Sequence, residues 1–198
     1  MSTDLAARYP MLAPMFADIG WIEGIVIALL VVGVMEVVAI VSHKYVMHGF
    51  LWSLHKSHHE PRTGRFEKND WFGVAGAIPS MVLLLIGTHF GLHMFTAIGA
   101  GITAYGAIYF FLHDILVHRR IKHSWNPQFP YLKRVVQAHR LHHVVETKEG
   151  AVSFGFIYAP PIRALKAQLT SDGRGRIRAS AKMKAEMGMI DNAEHWAR

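Results

Sequence analysis

The residues whose types and spacing could do chemistry in this chain are its histidines. His43 and His48 form HxxxxH, followed by His55, His58 and His59 as HxxHH. The same order then recurs, with His113 and His118 as HxxxxH and His139, His142 and His143 as HxxHH. Ten of the fourteen histidines fall inside this duplicated arrangement. Imidazole is a neutral nitrogen ligand that suits zinc, copper, iron and nickel. There is no cysteine, so thiolate nucleophiles, disulfides, CxxC zinc sites, cysteine-held iron–sulfur clusters and CxxCH haem attachment are excluded. A tightly bound metal must use nitrogen or oxygen. Ten imidazoles would give each of two ions about five protein ligands and leave a position open for water or dioxygen. Two open redox-active ions side by side suit dioxygen activation. Iron is the economical choice, and zinc is a substitute that a purified sample could carry.

Helical spacing says how such rings would share the work. On an α-helix, residues three and four apart lie on one face, so the first and last rings of HxxHH point together. The middle ring is rotated by roughly 60° toward a neighbouring ligand sphere, a geometry that fits two adjacent metals. Five apart is roughly 140° around a helix. HxxxxH is therefore awkward for one metal unless its two rings reach different ions or the helix loosens where it leaves the membrane. Glu36 lies two turns before His43 on the same face, and an acid inside an apolar helix is costly unless it faces a polar partner. Its carboxylate is expected to orient a histidine or an adjacent polar group, with Asp114 and Glu146 as weaker candidates for the same role.

The elements that must position these rings are apolar helices. Ile22 to Val41 is apolar except for Glu23 and Glu36 and is long enough to span roughly 30 Å of hydrocarbon. Val74 to Phe90 and Met94 to Leu112 form two further apolar stretches, and so short a link as Gly91, Leu92 and His93 makes them an antiparallel hairpin. Gly99, Gly101, Ala104 and Gly106 would let a neighbouring backbone approach closely. The run from Ala151 to Pro161 is too short to cross and is expected to be re-entrant, interfacial or packed on the hairpin. The predicted architecture is all-α and polytopic, with three to four membrane helices and a cytoplasmic histidine-rich helical cap. Residues 1–169 are expected to form one membrane-embedded domain and 170–198 a basic, loosely ordered tail.

Apolar residues make up 52% of the chain and the mean hydropathy is +0.21, values that favour a small polytopic membrane protein over a soluble enzyme. The segment before Trp21 carries one arginine and no lysine, and does not resemble a cleavable signal peptide. Five basic residues lie between His43 and Trp71, and fifteen follow Leu112. The positive-inside tendency puts both regions, and all the clustered histidines, in the cytoplasm. Topology and anionic lipid account for the net charge of +7, so nucleic acid is not an expected partner. Clustering on one side also argues against a metal transporter, whose ligands should line a path across the bilayer. A histidine-rich membrane protein that binds metal without oxidative chemistry is the alternative from another class. His89 and His93 are expected to be packed or hydrogen-bonded residues at the opposite face, and His123 and His195 solvated. Tyr105, Tyr109, Phe110 and Phe111 are expected to pack in the core or against lipid.

The order of the boxes resembles that of the membrane fatty acid hydroxylase and sterol desaturase superfamily. The local text HKYVMHG, HKSHHE, FEKNDWFG, YFFLHDILVH, QAHRLHHVVE and VSFGFIYAPP is similar to the bacterial β-carotene hydroxylases within it. The likeness runs from about Val31 to Leu169. It implies a non-haem di-iron monooxygenase of a bacterial inner membrane that uses O2 to hydroxylate C3 of each β-ionone ring. The ten boxed histidines would be its metal ligands. No GxGxxG fingerprint or cysteine-held cluster is present to deliver electrons, so ferredoxin and its reductase are the implied donors. A carotenoid ketolase, or a fatty acyl or sterol hydroxylase or desaturase, is the nearest alternative.

Overall fold

The computed structural model describes residues 7–11, 18–60 and 64–172. The described elements are helical: α1 (Trp21–Val41), a π-helical stretch (Ser42–Phe50), α2 (Trp52–His59), α3 (Asp70–Phe90), α4 (His93–Tyr109), a second π-helical stretch (Phe110–Val117), α5 (Pro130–His143) and α6 (Ile162–Asp172). Three continuous helices, Trp21–Phe50, Asp70–Phe90 and His93–Val117, are long and apolar enough to cross a membrane. The expected spans are therefore present. The chain divides into two compact units, one of Met1–Val37 and Asp70–Ile108, the other of Val38–Asn69 and Tyr109–Arg198.

The first unit is built from apolar helices. Leu29, Leu30 and Val34 on α1 and Ile78, Met81 and Leu85 on α3 are each more than half exposed. Water would penalise so much apolar surface, whereas hydrocarbon accepts it. Helices in lipid gain little from the hydrophobic effect between themselves, so close backbone approach and interhelical hydrogen bonds must hold them. Small residues supply the first. A Cβ built on Gly99 would lie 2.9 Å from Leu84 Cγ, and one on Gly101 would lie 2.7 Å from the Ala28 carbonyl oxygen. Gly106, expected to act in the same way, faces open space. Hydrogen bonds supply the second: Ser80 Oγ donates to the Gly99 carbonyl at 3.0 Å and lies 2.6 Å from Thr103 Oγ1. Between α3 and α4 the chain turns at Gly91, whose φ of +66° is the left-handed region that glycine enters without a Cβ penalty. Glu36 is buried and accepts a hydrogen bond from the Tyr105 hydroxyl at 2.8 Å, so α1 and α4 share a polar pair within their apolar surroundings.

The second unit carries every boxed histidine. Its core joins Val135, Ala138 and Leu141 of α5, Ala151, Val152 and Ala159 of the following segment, and Leu165 and Leu169 of α6. The segment 151–161 is thus neither a fourth span nor a helix. It is irregular chain packed against α5 and α6, and its backbone carbonyls are left available to side chains. α6 was not expected from its composition. Pro161 stands immediately before it, where a missing N–H costs nothing, and the Pro161 carbonyl accepts from Ala164 and Leu165. The basic tail beyond Asp172, and His195 with it, lies outside the described residues.

Candidate metal centre

Both HxxxxH boxes occur where an α-helix widens into a π-helix. A π-helical turn closes on the fifth residue rather than the fourth, which brings rings five apart back to one face. The second box shows the bond itself: the His118 amide donates to the His113 carbonyl at 2.9 Å. The loosening of the helix, one of the two ways out of the spacing problem, is the one realised. His43 and His48 point together, and so do His113 and His118.

The ring nitrogens converge in two groups. Nε2 of His43 lies 3.1 Å from Nε2 of His55, Nε2 of His48 lies 3.1 Å from that of His142, and Nε2 of His59 lies 3.3 Å from that of His55. In the second group, Nε2 of His58 lies 2.9 Å from that of His113, while Nε2 of His139 lies 3.1 Å from that of His118 and 2.9 Å from that of His143. Within each of the quartets His43, His48, His55, His142 and His58, His113, His118, His139, the candidate ligand atoms lie within 4.8 Å of one another. His59 and His143 extend these to five each, and their rings stack 4.6 Å apart where the groups adjoin. Each HxxHH box therefore splits as helical spacing predicts. Its first and last rings serve one group, and its middle ring, His58 or His142, serves the other.

The outward nitrogens fix which ring atom is available. Nδ1 of His43, His48, His59 and His142 donates to the backbone carbonyls of Phe154 (3.0 Å), Lys148 (2.9 Å), Val145 (2.9 Å) and Val152 (2.9 Å). His55 Nδ1 donates to Asn69 Oδ1 at 2.7 Å, His58 Nδ1 to Glu67 Oε2 at 3.2 Å and His113 Nδ1 to Asp114 Oδ1 at 2.8 Å. With the proton committed outward, a neutral ring directs a bare lone pair inward at Nε2. On the rings outside the spans, burial is the largest influence and disfavours the imidazolium, with repulsion from neighbouring rings adding to it. His55 is pushed down to about 4 and His59 to about 3, while His58, His139, His142 and His143 fall well below the usual histidine value.

Lone pairs facing one another at about 3 Å repel unless something positive lies between them. Two nitrogens at about 2.0–2.1 Å from a common ion are roughly 2.9 Å apart at right angles and roughly 3.3 Å apart at the tetrahedral angle. The observed separations of 2.9 to 3.3 Å span that interval, so the residues fit a pair of metal ions. Ten rings also provide more nitrogens than two tetrahedral ions could use.

The other residues singled out from sequence are placed as follows. Asp114 holds His113 directly. Glu36 belongs to the first unit, where its partner is Tyr105. Glu146 is partly buried just beyond α5. His93 Nδ1 donates to Asp18 at 2.6 Å on the surface, and His89 packs edge-on against Phe90. His123 is not simply solvated, since its two nitrogens face the carbonyls of Ile115 (2.9 Å) and Trp125 (3.1 Å). Tyr109 stacks on His113 with ring centroids 4.6 Å apart, which gives this aromatic a place beside the centre. Sequence reasoning missed Glu67, Asn69 and the four carbonyl acceptors. Glu67 and Asn69 stand in FEKND just before α3, where the chain is irregular and turns at 68–69, so no periodicity marks them. Backbone acceptors leave no trace in residue type.

Residues 28–160 match the fatty acid hydroxylase family model, and this chain belongs to that family. It is 48% identical to the beta-carotene hydroxylase of Pantoea ananas over 85% of this chain and 94% of the relative. It is 48% identical to that of Pseudescherichia vulneris over 79% of this chain and 89% of the relative. Its identity to a chloroplastic beta-carotene 3-hydroxylase of Haematococcus lacustris is 41%, over 77% of this chain and 49% of that protein. No solved structure matches the chain.

Proposed function

We propose that this chain is a membrane-bound non-haem di-iron monooxygenase that hydroxylates β-carotene at C3 of each β-ionone ring, giving β-cryptoxanthin and then zeaxanthin. The observation that carries the reading is the convergence of ten inward-facing Nε2 atoms into two groups of five, in a chain so similar to beta-carotene hydroxylases. Each turnover consumes one O2, two electrons and two protons, placing one oxygen atom on the ring carbon and releasing the other as water. Bound iron supplies the activation of dioxygen.

The chain's own residues do the rest. His43, His48, His55, His59 and His142 hold one ion, and His58, His113, His118, His139 and His143 hold the other. Their outward bonds to carbonyls, Asn69, Glu67 and Asp114 keep each ring in the ligating tautomer and stop it rotating. Leu112, Val117, Val135 and Phe156 give the protein beside His113 and His139 an apolar lining. The distribution of basic residues supports a centre on the cytoplasmic side of a bacterial inner membrane, by the positive-inside tendency. There ferredoxin and its reductase deliver the electrons.

The test is product analysis in cells that accumulate β-carotene. Zeaxanthin formation with the wild-type chain, lost with His139→Ala while the protein still inserts in the membrane, is the expected result. Echinenone or canthaxanthin would overturn the reading in favour of a ketolase. Unchanged β-carotene with oxidised acyl lipid would favour the fatty acyl chemistry named by the family model.

A further inference from the structure

The outward bonds differ between the two groups of histidines in a way that helical spacing does not require. Around His43, all five outward bonds end on uncharged oxygen: the carbonyls of Phe154, Lys148, Val145 and Val152 and the amide oxygen of Asn69. Around His113, two end on carboxylates, His58 on Glu67 and His113 on Asp114. These two rings also face each other closely, with Nε2 atoms 2.9 Å apart. The Glu67 and Asp114 side chains are only 11% and 12% exposed. Arg120 lies between them, its Nη2 3.6 Å from Glu67 Oε2 and its Nε 3.4 Å from Asp114 Oδ1. One guanidinium faces both acids and can balance only one of two carboxylate charges. The Arg120 amide is itself tied to the Asp114 carbonyl at 2.9 Å, which fixes the arrangement.

We infer that the two metal sites are unequal by construction: the group around His113 is the tighter and more strongly donating site, and Glu67 and Asp114 are the positioning residues that make it so. A carboxylate accepting from Nδ1 raises the basicity of the opposite nitrogen, and a buried negative charge near a cation is weakly screened. A carbonyl gives orientation without the charge. Loss of such partners lowers metal affinity by roughly 10- to 100-fold. The inference rests on the proposed metal centre and adds an order of filling and of release to it.

The experiment uses the full chain purified in detergent, loaded with 57Fe(II) without oxygen and challenged with a chelator. Metal content is followed in time, and Mössbauer spectra are recorded before the challenge and midway through it. The wild type should release its ions in two steps at least roughly 10-fold apart, with two quadrupole doublets and one surviving the first step. Glu67→Gln with Asp114→Asn should accelerate the slow step and bring the doublets together. Asn69→Asp places a carboxylate behind His55 and should slow the fast step, a gain that misfolding does not produce. A single-step release with one doublet from the wild type would overturn the inference while leaving the metal centre intact. So would a fast step unmoved by Asn69→Asp. A wild-type chain that retains no ion would overturn the metal centre as well.

Discussion

Replacing His142 with alanine removes a nitrogen from a site supplied mostly by the other half of the polypeptide. His142 belongs by sequence to the box of His139 and His143, yet its Nε2 lies 3.1 Å from that of His48. Binding of a structural ion by four ligands contributes roughly 10–16 kcal/mol, so one ligand accounts for about 3 kcal/mol, a loss of about 100-fold in affinity. The lost bond to the Val152 carbonyl subtracts about 1 kcal/mol from folding stability. His142→Ala should therefore retain one ion in place of two after desalting, as read by elemental analysis. The double variants discriminate. His142→Ala with His48→Ala strikes the same site twice and should still retain one ion. His142→Ala with His139→Ala strikes both sites and should retain none. If the first pair emptied the protein and the second kept one ion, the exchange of middle histidines between sites would be refuted.

Gly101→Ala should cost about 1–3 kcal/mol in unfolding from detergent, because the new methyl meets the Ala28 carbonyl, whereas Gly106→Ala should be close to neutral. Tyr105→Phe removes a hydrogen bond to buried Glu36 and should lower stability by about 1–3 kcal/mol without changing metal content, and Glu36→Gln, which keeps an acceptor, should be milder. The metal-free protein should lose stability as pH falls below about 6.5, because the unfolded chain then takes up protons that the buried rings refuse. His55, held to about 4, alone contributes roughly 3 kcal/mol across that window, and none of it is lost above pH 6.5. Chemical denaturation at pH 7.5 and 5 checks the sign, and greater stability at the lower pH would contradict it.

The three spans and the clustering of the boxed histidines were legible because both depend on residue type and spacing. Length and apolarity mark a span, and ten histidines in a repeated order mark a centre. The pairing of first with last rings in HxxHH followed from the α-helical period. The resolution of HxxxxH did not, since widening to a π-helix is a backbone event and the residues within SHKYVMHGF do not announce it. The role of 151–161 was hidden for a related reason. Its contribution to the site is made by the carbonyls of Val152 and Phe154, which every residue possesses. Glu36 is bonded to Tyr105, 69 residues away, and no local pattern links the two.

Because His58 and His142 each cross to the other group, neither half of the polypeptide holds a complete set of donors. During synthesis, His43, His48, His55 and His59 wait for His142, and they are not fully buttressed until Phe154 has left the ribosome and folded back. Convergence of the rings is thereby deferred to the end of translation. A nascent or prematurely terminated chain cannot bring either group of five together.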